Sequence, residues 1–116
     1  MPLISPPSRG EVWLLDLNPI RGHEQAGQRP ALVVSVDLFN HGPAGLATVL
    51  PLTGRQRNSK WHLPVRPPEG GVNTQSFIMT EQVRTVSLER FIRRYGLVTR
   101  ERMAEIEDRL RILLDL

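Results

Sequence analysis

The stretch Pro30-Ala-Leu-Val-Val-Ser-Val36 is the clearest β-strand in the sequence. It is short, apolar and rich in valine, and Pro30 stands at the first position, where a strand tolerates a residue without an amide hydrogen. Upstream, residues 11–17 (EVWLLDL) are apolar on both faces. Such a strand must be covered on both sides, so we expect it in a barrel or at an interface. Because a barrel this small cannot cover all of it, we also expect a homodimer.

Further short strands follow, separated by turns rich in proline and glycine. We predict them at residues 47–53, 61–65, 76–80, 83–87 and 92–98. Pro51 cannot donate to a ladder, so its strand should lie at an edge or carry a bulge there. Thr99 then caps a helix that runs to about residue 114. Many short strands and one terminal helix predict a mainly β fold, built as a small, strongly bent sheet or barrel.

The length of 116 residues fits one domain. Residues 1–8 contain three prolines, and we expect a flexible tail there, followed by a single domain over residues 9–116. The absence of cysteine excludes disulfides, thiolate metal sites and cysteine nucleophiles. Apolar runs are too short for a membrane span, and the first residues lack a signal-peptide pattern. We therefore expect a cytoplasmic protein that does not contact a membrane.

The net charge is +3, and fourteen of the fifteen basic residues are arginine. Arginine matches phosphate geometry, which favours a nucleic acid partner, although a GC-rich genome produces the same bias. Two predicted loops, after the first and third strands, concentrate these charges. Their basic residues are Arg21, Arg29, Arg55, Arg57 and Lys60. If the two strands are neighbours, the loops form one cationic groove.

Three aromatic side chains have two open interpretations. Trp13, Phe39 and Trp61 either stack on nucleic acid bases or pack in the core. His23 and Glu24 are adjacent, but the pattern HExxH is not completed, and the other histidines lack neighbours at ligand spacing. Nucleotide-binding and serine-nucleophile motifs are absent as well. We therefore expect neither a metal site nor a cofactor.

Five segments together carry a family resemblance. In chain order they are Arg9-Gly-Glu-Val-Trp13, Asp16-Leu-Asn-Pro19, Gly22-His-Glu-Gln-Ala-Gly-Gln-Arg-Pro-Ala-Leu-Val-Val-Ser35, Val49-Leu-Pro-Leu-Thr53 and Glu81-Gln-Val-Arg-Thr85. In this order and at this spacing they resemble the MazF/PemK (Kid) family, which are toxins of bacterial type II toxin–antitoxin systems. The resemblance covers residues 9–115.

The resemblance implies a fold, an activity and partners. The fold is an SH3-like, strongly twisted β-barrel with a C-terminal helix, which works as a homodimer. The activity is metal-independent, sequence-specific cleavage of single-stranded mRNA, which inhibits translation and growth. In that reaction the 2′-hydroxyl attacks the adjacent phosphate and leaves a 2′,3′-cyclic phosphate and a 5′-hydroxyl. The partner is a MazE-like antitoxin whose acidic tail blocks the RNA groove.

The resemblance also implies a site. Arg29 and Thr53 match the central catalytic pair of the family, and Glu24 and Gln25 match residues of the same site. Gln82 lies in a segment that lines the RNA groove. The chemistry agrees in part, since a guanidinium fork can grip two phosphoryl oxygens and a hydroxyl can donate one more hydrogen bond.

The general base has more than one candidate. Guanidinium keeps its proton above pH 12, so Arg29 is a poor base. Glu24 is either the carboxylate base or a partner that orients Arg29. His23 departs from the family, which commonly has a small residue there, and it either shares the base role or contacts the substrate. Around this site, Arg21, Gln25, Arg55, Arg57 and Gln82 are candidate RNA-binding residues, together with His23.

Two further functions suit the same fold. One is a gyrase poison like CcdB, which is not an enzyme and binds its protein target through the C-terminal helix. The other is an RNA-binding barrel without catalysis. The presence of Glu24, Arg29 and Thr53 together favours the nuclease over both alternatives.

Overall fold

The computed structural model describes residues 5–17 and 27–116, which form seven strands, two α-helices and three short 3₁₀ turns. The strands are β1 (Glu11–Asp16), β2 (Gln28–Val33), β3 (Leu46–Thr53), β4 (His62–Val65), β5 (Ser76–Met79), β6 (Arg84–Ser87) and β7 (Phe91–Leu97). The helices are α1 (Asp37–Asn40) and α2 (Arg100–Leu114), and the 3₁₀ turns are Glu69–Gly71, Thr80–Gln82 and Leu88–Arg90.

All strand pairs are antiparallel, and six strands follow the order β4-β5-β3-β2-β1-β7. β6 pairs with β3 outside this path. Among the described residues β4 and β7 do not pair with each other, so the sheet curls but does not close into a ring. The predicted mainly β fold with a C-terminal helix is confirmed, with an open sheet in place of a closed barrel.

Both faces of the sheet carry a hydrophobic core, because alternate residues of a strand point to opposite sides. Val12 of β1 belongs to the core that α2 covers. Its neighbours Trp13 and Leu15 belong to a second core, which includes Val86 of β6 and Phe91 of β7. The apolar character of residues 11–17 on both faces is therefore explained within one chain. It gives no support to a dimer, contrary to the expectation from the sequence.

Helix α2 begins as the sequence predicts. The hydroxyl of Thr99 accepts a hydrogen bond from the amide of Arg102 at 3.1 Å, which satisfies one of the free amides of the first turn. Ile106 is fully buried, and Met103 and Leu110 pack against the same core. Neither α-helix of the described chain has the length and apolar character of a membrane span.

β3 is a central strand at Pro51, so the expectation of an edge is wrong. Pro51 pairs with Ala31 of β2 on one side. On the other side the partner of β3 changes, from β6, whose ladder ends at Val49, to β5, whose ladder begins at Leu52. Pro51 therefore occupies the gap between two ladders, where the missing amide hydrogen costs little.

Two boundaries also differ from the expectation. β2 begins at Gln28, so Pro30 is its third residue and pairs with Leu14. Ordered packing begins before residue 9, since Pro7 is buried and its carbonyl lies 3.1 Å from the ring of His41. Only residues 1–4 of the expected flexible tail lie outside the described residues.

A buried carboxylate connects β1 to β7. Glu11 accepts hydrogen bonds from the indole of Trp13 at 3.0 Å, the amide of Ser8 at 2.7 Å and the guanidinium of Arg94 at 2.6 Å. Burial by itself raises the pKa of the Glu11 carboxyl, but these hydrogen bonds and the positive charge of Arg94 outweigh it, and the pKa falls below its ordinary value. Glu11 is thus an ionised residue that holds the edge of the sheet together.

Candidate active site

The register of β2 and β3 brings Arg29 opposite Thr53. Ala31 pairs with Pro51, and the next pairs, which lead away from the site, keep the same antiparallel register. Continued by two residues in the other direction, this register places Arg29 across from Thr53. Because alternate residues share a face, Arg29 lies on the face of Ala31, and Thr53 lies on the face of Pro51. The two side chains therefore emerge side by side at one end of the sheet.

A cleft of about 480 Å³ opens at this end of the sheet. Its lining residues are Arg29, Thr53, Gly54, Arg55, Arg57 and Met79. Four residues predicted from the sequence thus meet in one place, two from strands and two from the loop that follows β3. The prediction that basic residues of separate loops share one groove holds for Arg29, Arg55 and Arg57.

Thr53 is held for hydrogen bonding into the cleft. Its side chain is buried at the end of β3, and its Oγ1 accepts a hydrogen bond from the amide of Arg55 at 3.2 Å. A hydroxyl carries one hydrogen of its own. Because Oγ1 acts as the acceptor toward Arg55, that hydrogen stays available for an acceptor in the cleft.

The backbone of Arg29 is fixed by the sheet, since Arg29 pairs with Leu15 of β1. Just before β2, Gly27 has a φ of 72°, a left-handed conformation that favours glycine. Its carbonyl accepts a hydrogen bond from the amide of Leu17 at 2.9 Å, which joins the two ends of the preceding segment. The half-buried Arg29 side chain lines the cleft from this fixed position.

Met79 is a site residue that the sequence analysis missed. Phe77 of β5 pairs with Thr53, so Met79, two residues further along, lies on the same face. Met79 is buried and lines the cleft. An apolar residue in a short strand carries no signal of this role, and the register of β5 against β3 is what reveals it.

Some predicted site residues lie elsewhere. Arg21, His23, Glu24 and Gln25 fall within residues 18–26, outside the described part of the chain. Gln82 is half-buried in the 3₁₀ turn that follows Met79 and is not among the described residues that line the cleft.

The aromatic residues and histidines have structural neighbours. Trp13 is buried and packs edge-to-face on Phe91, with ring centroids 5.6 Å apart, so its interpretation as a base-stacking platform is wrong. His41 contacts Ser8. His62 contacts Glu81 at 3.1 Å. Within residues 5–17 and 27–116, metal-binding side-chain types do not gather in groups of three or more.

Three guanidinium groups and a hydroxyl around an open cleft are groups that bind phosphate oxygens, which defines the class as a small β protein that binds a polyanion. The family model for PemK-like, MazF-like toxins of type II toxin–antitoxin systems matches residues 8–114. The chain belongs to this family and is a MazF-like toxin. The resemblance deduced from its motifs is confirmed.

Similar proteins agree with this assignment. Endoribonuclease MazF9 of Mycobacterium tuberculosis is 34% identical over 113 residues, which cover 93% of this chain and 96% of the relative. The crystal structure of MazF from Deinococcus radiodurans superposes with a TM-score of 0.85 at 27% identity, over 97% of this chain and 99% of that chain. The chain is therefore a homologue of a bacterial endoribonuclease.

A third similar structure is an endoribonuclease in complex with its cognate antitoxin, from a mycobacterial species. Its TM-score is 0.78 at 23% identity, and the match covers 95% of this chain and 96% of that chain. At this identity the likeness concerns the fold.

Proposed function

We propose that this toxin is a metal-independent, sequence-specific endoribonuclease that cleaves single-stranded mRNA and thereby inhibits translation and growth. The observation that supports this most directly is the meeting of Arg29 and Thr53 in one cleft with Arg55 and Arg57. Two of these residues are positioned by the sheet to act on a phosphate. The other two are exposed on a loop, where they can contact the RNA backbone.

The reaction is an internal transesterification. The 2′-oxygen forms a bond to phosphorus while the bond to the 5′-oxygen breaks, which gives a 2′,3′-cyclic phosphate and a 5′-hydroxyl. The 2′-hydroxyl loses a proton to a base, and the 5′-oxygen gains one. Arg29 stabilises the negative charge on the phosphorane with two donors and can donate to the leaving oxygen, while Thr53 donates one more hydrogen bond. Charge stabilisation of this kind needs no metal ion.

The general base comes from the segment before β2. Glu24 lies five residues before Arg29, and its carboxylate either removes the 2′-proton or orients the guanidinium. His23 shares the base role or contacts the RNA. In this proposal Arg21 and Gln25 contact the RNA from the same segment, and Gln82 does so from the turn after β5.

The proposed partners follow from charge and from the family. The arginines of the cleft attract an acidic peptide as well as RNA, so a MazE-like antitoxin with an acidic tail would occupy the same groove. The functional unit is a homodimer, and it acts in the cytoplasm, where mRNA is translated. Light scattering at micromolar concentration tests the dimer, and a monomer mass would contradict it.

The function is tested by incubating the purified protein with a long RNA in excess EDTA and mapping the 5′ ends of the products. Discrete cuts with 5′-hydroxyl ends support the proposal. Protection of RNA without cuts would mean a binding protein, and inertness toward RNA with inhibition of gyrase would mean a poison like CcdB. Activity that is lost in EDTA and restored by magnesium would overturn the mechanism.

A second substrate tests the nucleophile. A deoxyribose at the cut site removes the attacking 2′-hydroxyl and should abolish cleavage there. Persistent cleavage would mean that water attacks the phosphate, and the cyclic-phosphate mechanism would have to be dropped.

A further inference from the structure

The loop over residues 54–60, called the basic loop here, carries Arg55 and Arg57 from β3 to β4. Six of its seven residues are exposed, so packing of its own side chains cannot fix its position. Its first end is tied to the site, since the amide of Arg55 donates to the Thr53 hydroxyl. The position of Arg57 depends on what holds the second end.

The second end is held by a fully buried threonine. Thr80 donates two hydrogen bonds to the carbonyl of Trp61, one from its amide at 3.1 Å and one from its hydroxyl at 2.6 Å. Trp61 immediately follows the basic loop, and Thr80 immediately follows Met79 of the cleft. These two bonds therefore tie the loop to the strand that forms part of the cleft wall.

A histidine and a carboxylate add a second tie beside the first. His62 Nε2 lies 3.1 Å from Oε2 of Glu81, with side-chain exposures of 4% and 32%. Since a carboxylate only accepts, His62 donates from Nε2. The other ring nitrogen, Nδ1, is buried without a hydrogen-bond partner in the described chain, so Glu81 supplies the hydrogen bond that orients the ring. A third tie comes from α2, where Arg109 donates to the carbonyl of Lys60 at 3.0 Å.

We infer that Thr80, His62 and Glu81 are positioning residues that hold the basic loop over the cleft and so preorganise Arg55 and Arg57 for RNA phosphates. The inference rests on the proposed function. Arg29 and Thr53 are held independently, by the ladders of β1, β2, β3 and β5. Loosening the second end of the loop should therefore weaken RNA binding and leave the chemical step largely intact, because ordering a mobile loop on binding costs affinity.

The test uses Thr80→Val and His62→Leu, which remove one side-chain hydrogen bond each at similar volume. Thr80→Ser and His62→Gln, which keep a donor, are the conservative rescues. His41→Gln is the matched control, because His41 contacts Ser8 away from the cleft. The dissociation constant is measured with RNA that carries deoxyribose at the cut site, and the rate of cleavage with saturating normal RNA.

Binding of the deoxy-substituted RNA should weaken about two- to tenfold for each hydrogen bond removed, with the single-turnover rate at saturation near that of the wild type. The slope of log Kd against log salt should become shallower, by about 0.7 for each RNA phosphate that the loop no longer binds. In the background Arg55→Ala/Arg57→Ala, the same substitutions should have no further effect, since the groups they position are gone.

Glu81→Ala keeps the inference testable if a buried substitution fails to fold. Removing a negative charge beside a basic cleft should by itself strengthen RNA binding, whereas release of the His62 ring should weaken it. Weaker binding that Glu81→Gln restores supports the inference. Equal or tighter binding overturns it, as does a lowered melting temperature with an unchanged salt slope. If the wild type neither binds nor cuts RNA, the proposed function fails instead.

Discussion

Arg29 and Thr53 emerge side by side because Ala31 pairs with Pro51 two residues further into the sheet. At Pro51 the other neighbour of β3 changes from β6 to β5, so Thr53 lies between β2 and β5. The two proposed catalytic groups are thus held by strands in the middle of a sheet. Groups held in this way need little reorganisation when charge develops on a phosphate.

Arg29→Ala should abolish cleavage while the protein stays folded. Removal of one donor aimed at developing charge costs about 10²–10³ in rate, and Arg29 would supply two donors and a positive charge. The side chain is half-buried at the end of β2, outside both hydrophobic cores, so the melting temperature should fall little. Single-turnover cleavage and thermal melting, measured on the same preparation, check both statements.

The matched variant Arg29→Lys keeps the charge but cannot bridge two oxygens, so it should restore little of the rate. Cleavage by Arg29→Ala at nearly the wild-type rate would contradict the role assigned to the residue. So would a variant that simply fails to fold, because Arg29 would then be a structural residue.

Thr53→Val should lower the cleavage rate by about 10²-fold, because it removes a hydrogen-bond donor and nearly keeps the volume. The amide of Arg55, which loses its acceptor, lies on an exposed loop and can bond to water instead. Thr48→Val is the control, since Thr48 lies on the same strand and its hydroxyl bonds to Thr85. Equal rates for the two variants in single-turnover assays would remove Thr53 from the mechanism.

Local patterns in the sequence were enough to predict the elements of this fold. Valine-rich stretches indicated β2 and β3 to within a few residues, and Thr99 placed the start of α2 because a cap acts on its own first turn. The assignment of Arg29 and Thr53 to one site came from the family resemblance. The register of β2 and β3 supplies the physical reason why they meet.

The features that the sequence could not supply depend on contacts between distant segments. Pro51 suggested an edge, but a central strand can also leave a gap where it changes partners. Trp13 has the same local pattern whether it stacks on a base or, as observed, on Phe91. The tie between Thr80 and Trp61 spans 19 residues and depends on how β4 and β5 pair, which no motif encodes.

Glu11→Gln should destabilise the protein at neutral pH and much less in acid. The pKa of the Glu11 carboxyl in the folded state is lowered from its ordinary value of 4.5. The ionised carboxylate therefore stabilises the fold above that value, and the contribution is lost as the pH falls through the folded-state pKa. Hydrogen bonds to a charged group suggest a loss on the order of 1–3 kcal/mol at pH 7.

The free energy of unfolding of the two proteins, measured by denaturant titration at pH 7 and near pH 3, checks this. Glu89→Gln is the control, because Glu89 is an exposed carboxylate on the turn before β7. The same difference between wild type and Glu11→Gln at both pH values would show that the charge of Glu11 is not what stabilises the sheet edge.

Arg55→Ala and Arg57→Ala should each weaken RNA binding and leave measurable turnover. Both side chains lie on the exposed basic loop and line the cleft, and the fold does not depend on their burial. Each should make the slope of log Kd against log salt shallower by about 0.7, the value for one phosphate contact on a single strand. Arg100→Ala, which removes the same charge from the exposed start of α2, should leave the slope unchanged. If all three variants weaken binding equally, the RNA responds to the net charge of the protein and not to a groove formed by the basic loop.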